Sequence, residues 1–180
     1  MRKSTKVGVI TISACIFLFL GGAFTYRYMR TQGIAESQTI NKEEKSDTKV
    51  LILTQQSSFK DAVMEEVEKQ FKGKDILIQI QDISTISQVK QSEWDGILLV
   101  TTVQSNDLPE KAVRFIKEEA DFDKVQLFVT ADSGNWTKQP ADVDAVTTTS
   151  KSSNVDAFSK KINHAIQQIE LDKLSCFLGF

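Results

Sequence analysis

The sequence predicts an α/β fold: a five-stranded parallel sheet with helices layered on both faces, preceded by an apolar N-terminal helix. Three observations carry that prediction. Short apolar, β-branched runs such as Val50-Leu51-Ile52-Leu53 and Ile97-Leu98-Leu99-Val100 alternate with segments of helical period. The connections are short and polar, which suits right-handed crossovers between parallel strands. Finally, Val7 to Tyr26 carries no charge, which sets the first thirty residues apart from the rest.

Composition bounds the function. At 180 residues there is room for one domain and one accessory segment, and 41% hydrophobic against 26% charged residues is a globular balance. The net charge of −2 is unevenly spread, because Arg2, Lys3, Lys6, Arg27 and Arg30 have no acidic counterpart in the first thirty residues. The remainder is therefore more acidic than the whole, which argues against nucleic acid as a partner. Cys15 and Cys176 are too far apart in character to form a disulfide framework. His164 stands alone and off the apolar face of its helix, so it is expected on the surface rather than at a metal.

In chain order, residues 1–30 form the N-terminal segment. Val7 to Tyr26 spans about 30 Å as a helix, enough for a bilayer core. Basic residues flank it, and Tyr26 and Tyr28 sit where an interfacial belt falls. It is either a single-pass signal anchor or a cleaved secretory signal with Gly21-Gly22-Ala23 at the cleavage site; its length favours the anchor. The basic bias toward the N-terminus places the following domain outside the cytoplasm. Residues 31–48 are polar and mixed in charge, and are expected to act as a flexible tether.

The domain itself is expected over residues 49–171. Strand one is Val50–Thr54, and helix one runs from about Ser58 to Lys72 with Phe59, Val63, Val67 and Phe71 on one face. Strand two, Ile76–Gln81, puts Ile76, Ile78 and Ile80 on one side and Gln79 and Gln81 on the other, the alternation of an edge strand. Ser84–Ser92 reads as a short helix. Strand three, Ile97–Val103, has the unbroken apolar run of a strand buried on both faces. Helix three starts near Asp107-Leu108-Pro109, strand four is Val125–Thr130, and strand five is about Val143–Thr148. The last helix opens on a Ser153-x-x-Asp156 capping pair and runs to about Leu171. Residues 172–180 make an apolar tail.

In sheets of this kind ligands sit at the carboxyl ends of the strands. After strand one come Gln55, Gln56, Ser57 and Ser58, whose amides and hydroxyls at a helix N-terminus suit a phosphate; the alternative is simple helix capping. After strand three come Thr101 and Thr102, and after strand four Gly134, Asn135 and Trp136. The tryptophan is placed either to stack on a flat ligand or to anchor its loop. Acidic pairs for phosphoryl acceptance, a cysteine nucleophile after strand one and phosphate-binding glycine fingerprints are all missing.

The order of elements, the third-strand segment Trp94-Asp95-Gly96-Ile97-Leu98-Leu99-Val100, the loop leading to Leu108-Pro109 and the fourth strand Val125–Thr130 together resemble the flavodoxin and flavin-mononucleotide-dependent oxidoreductase group over roughly residues 49–170. Ser58 and Ala62 keep the spacing of that group's phosphate loop, with Gln56 where a small residue stands in the group. The resemblance implies a three-layer flavodoxin-like fold with strand order 2-1-3-4-5. It also implies flavin mononucleotide (FMN) as cofactor and electron transfer as activity. Gln55, Gln56, Ser57 and Ser58 would hold the phosphate. Thr101, Thr102, Gly134 and Asn135 would line the ring, and Trp136 would stack on it. The glycine-free first loop equally admits a flavodoxin fold without cofactor that serves as a surface-tethered interaction module, its protein partner not readable from the chain.

Overall fold

The computed structural model describes residues 12–13, 15–22, 33–41, 46–104, 107–118, 120–131, 134, 136 and 143–178. It divides into two compact units, Met1–Gln32 and Gly33–Phe180. In the first, residues 12–13 and 15–22 are helical and exposed. Among the described residues no helix is long and apolar enough to cross a membrane. Positions 7–11, 14 and 23–26 of the expected span lie outside the described residues.

The second unit is an α/β fold around one mainly parallel sheet. Its strands are β1 (Gln38–Ile40), β2 (Thr48–Thr54), β3 (Ile76–Asp82), β4 (Gly96–Thr102), β5 (Val125–Thr130) and β6 (Ala145–Thr148). They lie in the order β1-β3-β2-β4-β5-β6, with every neighbour parallel except β1 on β3. Counted alone, the five parallel strands run second-first-third-fourth-fifth, a flavodoxin-like arrangement. The sheet as a whole has six strands and so departs from the expected five in number and order. The added strand comes from the stretch expected to be a tether: Gln38, Thr39 and Ile40 pair with Ile80, Gln79 and Ile78. This also corrects the place of β3. Its half-polar alternation suggested an edge, but β1 covers that side and is the edge itself.

The central strands owe their unbroken apolar runs to burial on both faces. In β2, Val50 and Ile52 point to one side while Leu51 and Leu53 point to the other; in β4, Leu98 and Val100 oppose Ile97 and Leu99. The first face is covered by α1 (Ser58–Phe71) and α3 (Val155–Leu178). Phe158 of α3 packs between Phe59, tilted at 43°, and Phe128, edge-to-face at 78°, with ring centroids 5.8 and 5.9 Å away. The second face is covered by α2 (Glu110–Glu118) and by the 3-10 turn Ile83–Gln88. The segment expected as a short α-helix after β3 is this turn and a second one, Gln91–Glu93. Ile83 and Ile86, three apart, share one face at the 3-10 period and bury together.

Close contacts fix the ends. Helix α1 stops where Gly73 takes a φ of +82°, and its amide donates to Asn41 Oδ1 at 2.7 Å. Asn41, itself at φ 66°, donates from Nδ2 to the carbonyls of Phe71 and Ile76 at 2.8 Å each, which pins the end of β1 to the α1–β3 turn. Helix α3 begins at Val155 behind a 3-10 turn and runs unbroken to Leu178, so most of the expected apolar tail is helix. Asp95 ties its far end to the sheet: Asp95 Oδ2 accepts from Lys173 Nζ at 2.7 Å and from the Lys49 amide at 2.8 Å.

Candidate functional site

β2 lies between β3 and β4, so the sheet's switch point is at its carboxyl end, where Gln55, Gln56, Ser57 and Ser58 follow Thr54. The structure brings three of the expected site residues together there. Gln55 Oε1 accepts from Thr101 Oγ1 at 3.1 Å, from the Thr102 amide at 3.2 Å and from Lys60 Nζ at 3.2 Å. The Gln55 side chain thus bridges the ends of β2 and β4. Thr102 Oγ1 shares a 2.8 Å bond with Thr130 Oγ1, extending the polar ladder to β5.

The remaining residues of the first loop are committed differently. Gln56 pairs with Gly33 as an antiparallel bridge: its amide donates to the Gly33 carbonyl at 3.0 Å, and its carbonyl accepts from the Gly33 amide at 3.2 Å. A Cβ at Gly33 would stand 3.1 Å from the Cβ of Gln56, so the glycine is what lets the two backbones meet. The Ser57 hydroxyl accepts from the Lys60 amide at 3.3 Å and caps α1, as the capping alternative anticipates. Ser58 is exposed.

The loop after β5 contributes no exposed ring. Trp136 is only 6% exposed and packs in the second core cluster with Leu108, Ala131 and Val143. It therefore sits as an anchor, not as an open stacking surface. Gly134 has a φ of +70°, and a Cβ there would press on Thr149 Cγ2 at 3.0 Å. Asn135 lies outside the described residues.

Two residues that the sequence reading passed over complete the site. Lys60 is 1% exposed, beneath the loop it follows. Desolvation by burial pulls its pKa down to about 7, against the opposing pull of Asp61 and Asp82. Asp82, at the carboxyl end of β3, accepts from the amides of Ala35 at 2.8 Å and Ser84 at 2.9 Å. Burial raises its pKa, but bonds from Ser84 and Ala35, with the charge of Lys60, outweigh that and hold the carboxyl below its ordinary value. The sequence did hold a signal for Lys60: it lies on the stripe Lys60, Met64, Val67, Phe71, all buried.

Residues 33–35 thus run across the top of the loop, joined at Gln56 and Asp82. Between this segment and α1 is a groove of about 300 Å³ lined by Ala35, Glu36, Gln38, Asp61, Glu65 and Glu68 among others. Its walls are acidic and repel a phosphate. The residues as placed do not fit a flavin phosphate. The Gln56 amide is already bonded to Gly33, Gln55 Oε1 is committed to three protein donors across the strand ends, and the aromatic is buried. Among the described residues there is no cluster suited to a metal ion.

No family model and no curated protein matches this chain. Among solved structures it is similar to oxidised Flavodoxin 2 from Bacillus cereus, with 14% identity and a TM-score of 0.42, over 67% of this chain and 99% of that one.

Proposed function

We propose that this protein is a flavodoxin-like scaffold whose cofactor crevice is filled by its own residues, and that it works as a binding module. The observation that carries this is Gln55, whose single side-chain oxygen accepts three hydrogen bonds where a cofactor's polar edge would dock. The Gly33–Gln56 bridge supports it by occupying the Gln56 amide of that loop. Attachment to a membrane through Val7 to Tyr26, with the domain outside the cytoplasm, belongs to the same proposal. It rests on the charge-free run alone, and extraction of cell membranes at alkaline pH tests it: an integral protein stays in the pellet.

The second reading, an FMN protein passing electrons, is favoured by one feature. Ser58 is exposed in the first turn of α1, where the helix N-terminus would meet a phosphate. A visible spectrum of the full chain, taken after excess FMN and desalting, separates the two. The module reading predicts a colourless protein with an unchanged melting temperature. Retained flavin absorbance overturns it.

A further inference from the structure

The edge of the sheet at β6 lies away from the crevice and is built differently. β6 ends the strand order and, among the described residues, pairs only with β5. The amide of Leu127 donates to the Asp144 carbonyl and that of Ala131 to the Thr148 carbonyl, each at 2.9 Å. Residues 144, 146 and 148 therefore turn their backbone groups toward β5, and by the strand's two-residue period Ala145 and Thr147 turn theirs outward. All four β6 residues are half-exposed. The opposite edge does not offer this, since β1 is three residues long and Asn41 folds it back onto the α1–β3 turn.

Beside β6, between sheet and α3, runs a groove of about 630 Å³. Its floor is apolar, formed by Phe128, Val146 and Ala165. Its rim is basic: Lys160, Lys161 and His164 lie along one side of α3, all exposed. Lys160 is held by Asp156 at 2.8 Å in an exposed pair, which contributes little. A basic rim over an apolar floor, next to an open strand edge, stands out on a domain that is otherwise acidic.

We propose that this edge binds an extended, acidic segment of a partner protein. The segment adds as a strand against the outward backbone groups of Ala145 and Thr147. On its inner face, apolar side chains enter the groove and carboxylates reach Lys161 and His164. Main-chain bonds supply affinity in this mode, and alternate side chains supply specificity. The inference rests on the binding-module reading and names the surface and the chemistry of the partner.

The test is fluorescence anisotropy of the full chain with a labelled peptide, Val-Thr-Glu-Thr-Val-Thr-Glu, and a control with lysine in place of glutamate. The glutamate peptide is expected to bind at least ~10-fold more tightly, with affinity falling as salt rises. Lys161→Glu combined with His164→Glu changes two exposed residues and is expected to weaken it ~10-fold or more. Thr147→Pro removes one outward amide without touching the bonds to β5, and is expected to abolish binding. If that variant fails to melt cooperatively, the double variant decides. Equal affinity for the two peptides, or indifference to the double variant, overturns the proposal. So does an edge already filled by a second copy, or one that takes up anionic vesicles but no peptide. Failure here is distinguishable from failure of the module reading. A colourless protein that ignores the peptide overturns this surface alone, whereas a retained flavin overturns the module reading whatever the peptide does.

Discussion

Replacing Lys60 by methionine probes the buried centre of the site. Lys60 is 1% exposed, and its pKa falls from 10.5 to about 7 because burial penalises the ammonium. The folded value lies below the unfolded one, so between them the unfolded chain binds more protons. Stability therefore rises with pH through that window, and the cost of burying the charge is fully present below the folded value. Worked through the linkage relation, the change from about pH 7 to about pH 9 is a gain of about 2 kcal/mol from this one group. Urea unfolding of the full chain at the two pH values measures it. In Lys60→Met the gain should vanish, which cancels the contributions of all other titrating groups. At about pH 7 the variant should be more stable by about 1–3 kcal/mol, as expected when a buried charge gives way to an apolar side chain of similar length. The three-way bond at Gln55 would lose one donor and keep two, so the crevice should stay closed. Equal pH dependence in the two proteins would refute the reasoning, because it would mean that Lys60 titrates as an ordinary surface lysine.

Three further perturbations test the bridge at Gln55 and the packing and burial of α3. Gln55→Ala leaves Thr101, the Thr102 amide and Lys60 without their shared acceptor; a loss of about 2–4 kcal/mol by urea unfolding is expected, and a loss below about 0.5 would show the bridge to be incidental. Gly96→Ala places a Cβ 2.8 Å from Ile169 Cγ1 where α3 crosses β4, and should cost about 1–3 kcal/mol, with Ile169→Val restoring much of it in the double variant. Asn163 has a buried Oδ1 without a hydrogen-bond partner; Asn163→Leu is expected to raise the melting temperature, and a lower one would show that the amide is satisfied in solution.

The fold was largely legible because the signal for a parallel sheet is strong where strands are buried on both faces. β5 falls on the expected Val125–Thr130, and β2, β3 and β4 lie within two residues of expectation. β1 escaped because a three-residue strand with one buried side chain, Ile40, carries no periodicity that a polar linker lacks. The crossover after β3 is 3-10 and not α-helical, because Ile83 and Ile86 satisfy a three-residue period as well as a helical one.

The candidate site was less legible, and for a different reason. Topology fixes which strand ends meet, and Gln55, Thr101 and Thr102 come together there. The contents of the loops depend on long-range partners: the Gly33 carbonyl engages Gln56, the Ala35 amide engages Asp82, and Gln55 reaches across to Thr101. No local pattern records such pairings. Lys60 was overlooked because a lysine is ordinarily exposed, although its position on the buried stripe of α1 pointed the other way.

The central claim is that the crevice is closed by the protein's own residues. Amide hydrogen exchange at Gln56 and Thr102, read with and without saturating FMN, tests it most directly. Both amides donate to protein oxygens, the Gly33 carbonyl and Gln55 Oε1. With the crevice closed, exchange is slow at both and unchanged by flavin. Fast exchange that becomes slow when flavin is added would show an open crevice waiting for its cofactor, and would contradict the claim.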